Sequence, residues 1–241
     1  MTWTDKIFAY CERAGDPGFW AEPFNAASNA AFLVAAFAGA ILLSRRPGAA
    51  ERRAEWGLVG LIAVIGTGSF LFHTYATRWA SVADTAPIGL FMIGYLAYAL
   101  RRFVGLGIPA VLGLVGIFVL ALRAAGTIPC DPALLPVTIA AGRPCFNGSL
   151  GYVPALGALV LVGGTLIVRR HPAGWPVVLA GAIFAVSLAM RTLDFEVCAG
   201  TQILGRARGT HAVWHVLNAL VLFTLLATAI RHGRRSDAGR A

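Results

Sequence analysis

Seven stretches of this chain, roughly 24–43, 57–76, 82–100, 103–125, 150–168, 175–193 and 210–230, are apolar over lengths close to or beyond the ~20 residues that carry a helix across a bilayer. Barrel strands need only about ten residues of alternating polarity, and these runs show no alternation, so helices are expected. Seven such helices leave little of a 241-residue chain for anything else. The expected fold is therefore all-α: one seven-transmembrane-helix bundle spanning 1–241, with a polar segment at 1–23 and a polar tail at 231–241. Hydrophobic residues at 58% and charged residues at 13% fit that class and no ordinary soluble domain.

A net charge of +9 could suggest nucleic acid, but its distribution argues otherwise. Arginine pairs fall at alternate connections: Arg45, Arg46, Arg52 and Arg53 after the first span, Arg101 and Arg102 after the third, Arg169 and Arg170 after the fifth. Arg231, Arg234, Arg235 and Arg240 follow the seventh. That side carries the whole excess, and the charges of the other side cancel. The positive-inside rule then places the N-terminus outside and the C-terminus in the cytoplasm, with no nucleic-acid partner required.

Residues 1–23 contain no continuous apolar core, so the first span itself is expected to start insertion. Cys11, Cys130, Cys145 and Cys198 all fall on the outer side of this topology. In an oxidising compartment Cys130 and Cys145, within one loop, form the simplest pair, leaving Cys11 for Cys198. Four unpaired thiols in a reducing lumen are the alternative.

Ionisable residues inside a membrane are costly and usually face the bundle interior. Here they are His73, Asp84, His211 and His215; His171 and His232 sit beside cytoplasmic arginines and read as solvated. In "HAVWH" the two histidines stand one helical turn apart on one face. With a rise of about 1.5 Å per residue, His211 and His215 lie roughly 5 and 11 Å inward from Arg208, and His73 roughly 8 Å inward from Arg78. Three histidines from two helices thus share one layer, with Ser69 one turn deeper than His73 and Asp84 opening the third span at similar depth. Three imidazoles with a fourth position open are the ligand set of a hydrolytic zinc site. Asp84 would carry a proton from water to a leaving amine, and Ser69 would orient the water or hold the oxyanion. Separate interhelical hydrogen bonds, as in a transporter or structural bundle, are the other reading. Bis-histidine haem ligation would leave Ser69 and Asp84 unexplained.

At these residues the chain resembles the alkaline ceramidases, seven-helix zinc amidases related to membrane hydrolases of the adiponectin-receptor type. The resemblance covers nearly the full length through "YCER", "FWAEPFNAASN", "GSFLFHT" with Asp84 eleven residues after His73, "LDFEVC" and "HAVWH". It implies His73, His211 and His215 as zinc ligands, Ser69 and Asp84 as catalytic partners, and a Cys11–Cys198 disulfide. Animal members of that family also bind calcium through the N-terminal segment, and Glu12 and Glu22 match two of the ligands. Ala9 and Ala14 stand where the pattern has Asp and Asn, with Asp16 nearby as a substitute oxygen donor. Hydrogen bonds to helix ends or arginines are the alternative use of Glu12 and Glu22.

The expected function is zinc-dependent hydrolysis of the N-acyl amide of ceramide or a ceramide-like membrane lipid, giving a fatty acid and a sphingoid-type base. The alternatives are a hydrolase of another lipid bond and a receptor-like protein with structural zinc. A bias toward Ala, Arg and Gly suggests a bacterial inner membrane, with the site in its outer, periplasmic half.

Overall fold

The structure, a computed structural model, describes residues 2–128 and 145–233. Among them seven helical spans are long and apolar enough to cross a membrane. Span one is α1 (Pro23–Ser28) followed by α2 (Ala30–Ser44); α3 (Arg53–Tyr75) and α4 (Arg78–Ala99) form the next two. Then come α5 (Ile108–Gly126), α6 (Val153–Val168), α7 (Gly174–Leu193) and α8 (His211–His232). Each span packs on the next, and α8 returns against α2 and α3 to close a ring. α8 is the most buried helix and α5 the least, so side chains on α8 point into the bundle.

The spans agree with the hydrophobic runs except around the third. α3 stops where Ala76 takes a left-handed φ of 48° and Thr77 is extended, so α4 opens at Arg78. Asp84 is consequently buried within α4 rather than at its start. At its far end α4 runs on through a π-helical turn, Leu100–Val104, until Gly105 reverses the chain at φ 83°. The fourth span therefore begins at Ile108.

Pro87 lies inside α4 and has no N–H, so it cannot bond the carbonyl of Ala83 one turn earlier. Gly68 of α3 packs against that carbonyl, where any Cβ would collide with it. This close approach of the two backbones falls beside Ser69 and Asp84.

One end of the bundle is covered by the N-terminal segment and by a hairpin between α7 and α8, β1 (Gln202–Ile203) with β2 (Arg206–Ala207). A Cys11–Cys198 disulfide ties the two together. Cys130 lies outside the described residues, so the expected Cys130–Cys145 pairing does too. At the opposite end Arg52 bonds Glu55 and the carbonyl of Ile230, and the Tyr98 hydroxyl donates to Glu55 at 2.9 Å. Those bonds join the ends of α3, α4 and α8.

Candidate metal centre

His73 comes from the last turn of α3, and His211 and His215 from the first two turns of α8. All three are buried, at 1, 1 and 2% exposure, and each offers a ring nitrogen within 4.8 Å of the others'. The helical spacing sets the pair on α8. What aims them is a set of neighbours drawn mostly from the N-terminal segment.

His73 Nδ1 lies 2.6 Å from Glu22 Oε2, so the ring donates there and presents Nε2, which is buried without a hydrogen-bond partner. His215 Nδ1 lies 2.7 Å from the Ser28 hydroxyl. That hydroxyl gives its one proton to the carbonyl of Asn25 at 2.8 Å, so it accepts from Nδ1–H and His215 likewise presents Nε2. His211 Nδ1 is also buried without a partner. Buried imidazole nitrogens left unbonded are expensive unless a cation uses them. Oriented rings with free inward nitrogens fit a bound metal, with Glu22 and Ser28 fixing the tautomers from outside.

Asp194, buried after the end of α7, sets the start of α8. Its carboxylate accepts from the backbone N–H of Thr210 and His211 at 2.9 and 3.0 Å and from Cys11 N at 2.9 Å. Burial pushes this carboxyl above its ordinary range, and the three amides act against that rise. Gly209, at φ 65°, lies so close to the carboxylate that a side chain there would strike it.

The sequence "YCER" turns out to serve this centre residue by residue. Tyr10 stacks on His211, with ring centroids 3.6 Å apart. Cys11 forms the disulfide. Glu12 accepts from the first amides of α1, Phe24 N and Asn25 N, and pairs with Arg208 at 2.8 Å. Arg13 is 1% exposed and donates to Glu22, to the carbonyls of Asp16 and Gly18, and to the carbonyl of His73 at 2.8 Å.

This arrangement does not fit calcium. Glu12 and Glu22 each accept three bonds from protein donors, and the Asp16 side chain turns back to Gly18 N at 2.7 Å. Among the described residues the three carboxylates form no group that could hold a metal ion; the three histidines form the one such group. The guanidinium of Arg13 already supplies positive charge beside Glu22 and bonds the carbonyls of Asp16 and Gly18. Burial pushes the Glu22 carboxyl up, and the hydrogen bonds from His73, Asn25 and Arg13 act the other way, so that the carboxyl lies below its usual range.

Ser69 and Asp84 face a small chamber together with His211 and His215. The chamber offers about 20 Å³ to the centre of a water molecule, enough for about one, since a single site needs roughly 10–15 Å³ by that measure. Adjoining it is an apolar cavity of about 70 Å³ on the same measure, lined by side chains such as Phe91, Phe118, Phe184 and Leu222. Ile65, Ile88, Tyr152 and Asn218 line both.

Arg191, from the last turn of α7, also reaches the chamber. An arginine beside an outer loop reads as a solvated charge, so this position was not legible from sequence. Only the fold brings it to the centre. No protein-family model matches the chain and no curated protein matches its sequence, so function is read from the site itself.

Proposed function

We propose that the chain is a zinc-dependent amidase that cleaves the N-acyl bond of ceramide or a ceramide-like lipid within the membrane, as its resemblance to the alkaline ceramidases implies. The observation that carries this reading is the convergence of three buried imidazoles beside a chamber shared with Asp84 and Ser69. Histidine nitrogens favour zinc over calcium or magnesium, which prefer oxygen. Bound there, zinc would polarise a carbonyl and lower the pKa of water toward 7.

The protein's own groups divide the remaining work. Asp84 accepts a proton from water in the chamber and passes it to the leaving amine. Ser69 orients that water by a hydrogen bond. Glu22 and Ser28 hold two of the imidazoles in their tautomers, and the aromatic walls keep bulk water out. The adjoining apolar cavity suits a long hydrocarbon chain whose polar end lies at the chamber, which supports an acyl lipid as substrate.

The arginine distribution supports an N-terminus outside and a C-terminus in the cytoplasm. The centre then lies in the outer half of the membrane, facing the periplasm if the host is a bacterium. The experiment is elemental analysis of the purified protein together with a product screen across N-acyl lipids. Stoichiometric zinc and release of fatty acid, both lost on chelation, are the expected result. Zinc without cleavage of any lipid amide would point instead to a receptor-like bundle braced by the metal.

A further inference from the structure

Arg191 brings a permanent positive charge to the chamber, and nothing in the division of labour above uses it. Among the described residues no carboxylate lies within ion-pairing distance of its guanidinium. Its one hydrogen-bond acceptor there is the Tyr10 hydroxyl at 3.2 Å, and its Nε is buried with no partner. Three aromatic rings surround the guanidinium carbon, Tyr10 at 5.7 Å and Tyr152 and Trp214 at 5.4 Å. Rings in this position stabilise a cation without neutralising it. Asp84 lines the same chamber without pairing with it directly, so the guanidinium faces whatever enters between them.

The surroundings define what that is. Tyr152 lines both the polar chamber and the apolar cavity, so one ligand reaching across them needs a long hydrocarbon body and a single end that is, or becomes, anionic. Asp84 on α4 faces the same chamber and supplies negative charge for an amine, while Arg191 on α7 supplies positive charge for oxygen.

We propose that Arg191 is the anion-binding catalytic residue of this site, holding the acyl oxygen as it gains negative charge and then the carboxylate of the released acid. The inference rests on the hydrolytic reading. In that reaction the oxygen of water bonds to the acyl carbon and the C–N bond breaks. Both water protons end on the nitrogen, one of them by way of Asp84, so the products are a carboxylate and an ammonium. The amide is neutral at the start, and the acyl oxygen carries charge only in the transition state and product. A fixed guanidinium in a water-poor chamber thus acts where catalysis needs it, more strongly on the transition state than on the substrate. Packing at the end of a helix would be indifferent to that charge.

The test compares a long-chain fatty acid with the primary alcohol of equal length, binding to purified protein in detergent by calorimetry. Because a metal also attracts carboxylate, wild type, Arg191→Gln and Arg191→Lys are compared at equal zinc content. We expect Arg191→Gln to lower the acid-over-alcohol preference at least 10-fold with zinc unchanged, and Arg191→Lys to keep part of it. Single-turnover cleavage of an N-acyl lipid should fall about 10² to 10³-fold in Arg191→Gln, with little change in KM. An unchanged preference in Arg191→Gln overturns the proposal. Should that variant fail to fold, the neutral Arg191→Met takes its place: a preference lowered at least 10-fold at equal zinc supports the proposal, and a preference and rate equal to wild type overturn it. An Arg191-dependent preference in a protein that cleaves no amide would overturn the hydrolytic reading and leave anion binding in place.

Discussion

Gly68 of α3 lies directly against the carbonyl oxygen of Ala83 on α4, in the space that a Cβ would fill. Pro87 leaves that carbonyl without its helical partner, and the bare glycine lets the neighbouring backbone cover it. The contact holds Ser69 and Asp84, each next in sequence to one of the pair, at one chamber. Gly68→Ala should force the helices apart, costing on the order of 1–3 kcal/mol and lowering activity more than metal content. Thermal melting in detergent, zinc analysis and turnover of the same preparation check this; wild-type melting and activity would show that the approach is loose.

Arg13 is an internal cation in a cage of oxygens, and removing it strands Glu22 beside His73. Arg13→Met should destabilise by roughly 3–5 kcal/mol, the usual cost of breaking a buried pair from one side, and should weaken zinc binding through the freed Glu22. Arg13→Lys should recover only part of the loss, because an ammonium cannot reach Glu22 and the carbonyls of Asp16, Gly18, His73 and Thr74 together as a guanidinium does. A calcium-selective chelator should leave the melting curve of the wild type unchanged. A lowered melting temperature on chelation would return calcium to the N-terminal segment.

Reduction of the Cys11–Cys198 bond should loosen the segment that carries Tyr10, Glu12 and Arg13. We expect Cys11→Ser to release zinc faster than wild type, measured as the rate of transfer to a chromogenic chelator. Mass spectrometry of a non-reducing digest should find the Cys11 and Cys198 peptides linked; free thiols at both in oxidised protein would contradict the structure.

The hairpin tip offers a direct reading of orientation. Leu204 is 88% exposed, so a Leu204→Cys variant should react with a membrane-impermeant thiol reagent added to intact cells. Labelling only after the membrane is opened would place the hairpin, and with it the centre, on the cytoplasmic side.

The spans were legible in the sequence because a bilayer demands length and apolarity, and both are local properties. The grouping of the three histidines was legible too, since a helix converts a spacing of four into a shared face and a rise of about 1.5 Å per residue puts His73 level with the pair. Asp84 was seen, but its place within α4 was not, because the start at Arg78 depends on the left-handed turn at Ala76. Arg13, Ser28, Asp194 and Arg191 were not seen as parts of the site. Arg13 stood among acids and Arg191 beside a loop, where a solvated charge is the ordinary reading, and the partners of each lie far away in sequence. Glu12 and Glu22 show the reverse: carboxylates that suggested a cation site are filled by donors from the same chain.

Asp84 tests the central claim most directly, since its proton transfer separates hydrolysis from mere metal binding. Asp84→Asn keeps the shape of the side chain and cannot accept the proton. In single-turnover cleavage of a ceramide at full zinc occupancy, the variant should bind zinc as wild type does and react about 10² to 10⁴ times more slowly, about 3–5 kcal/mol of barrier. A near wild-type rate would contradict the assignment of Asp84 as the proton carrier of a metal-dependent amidase.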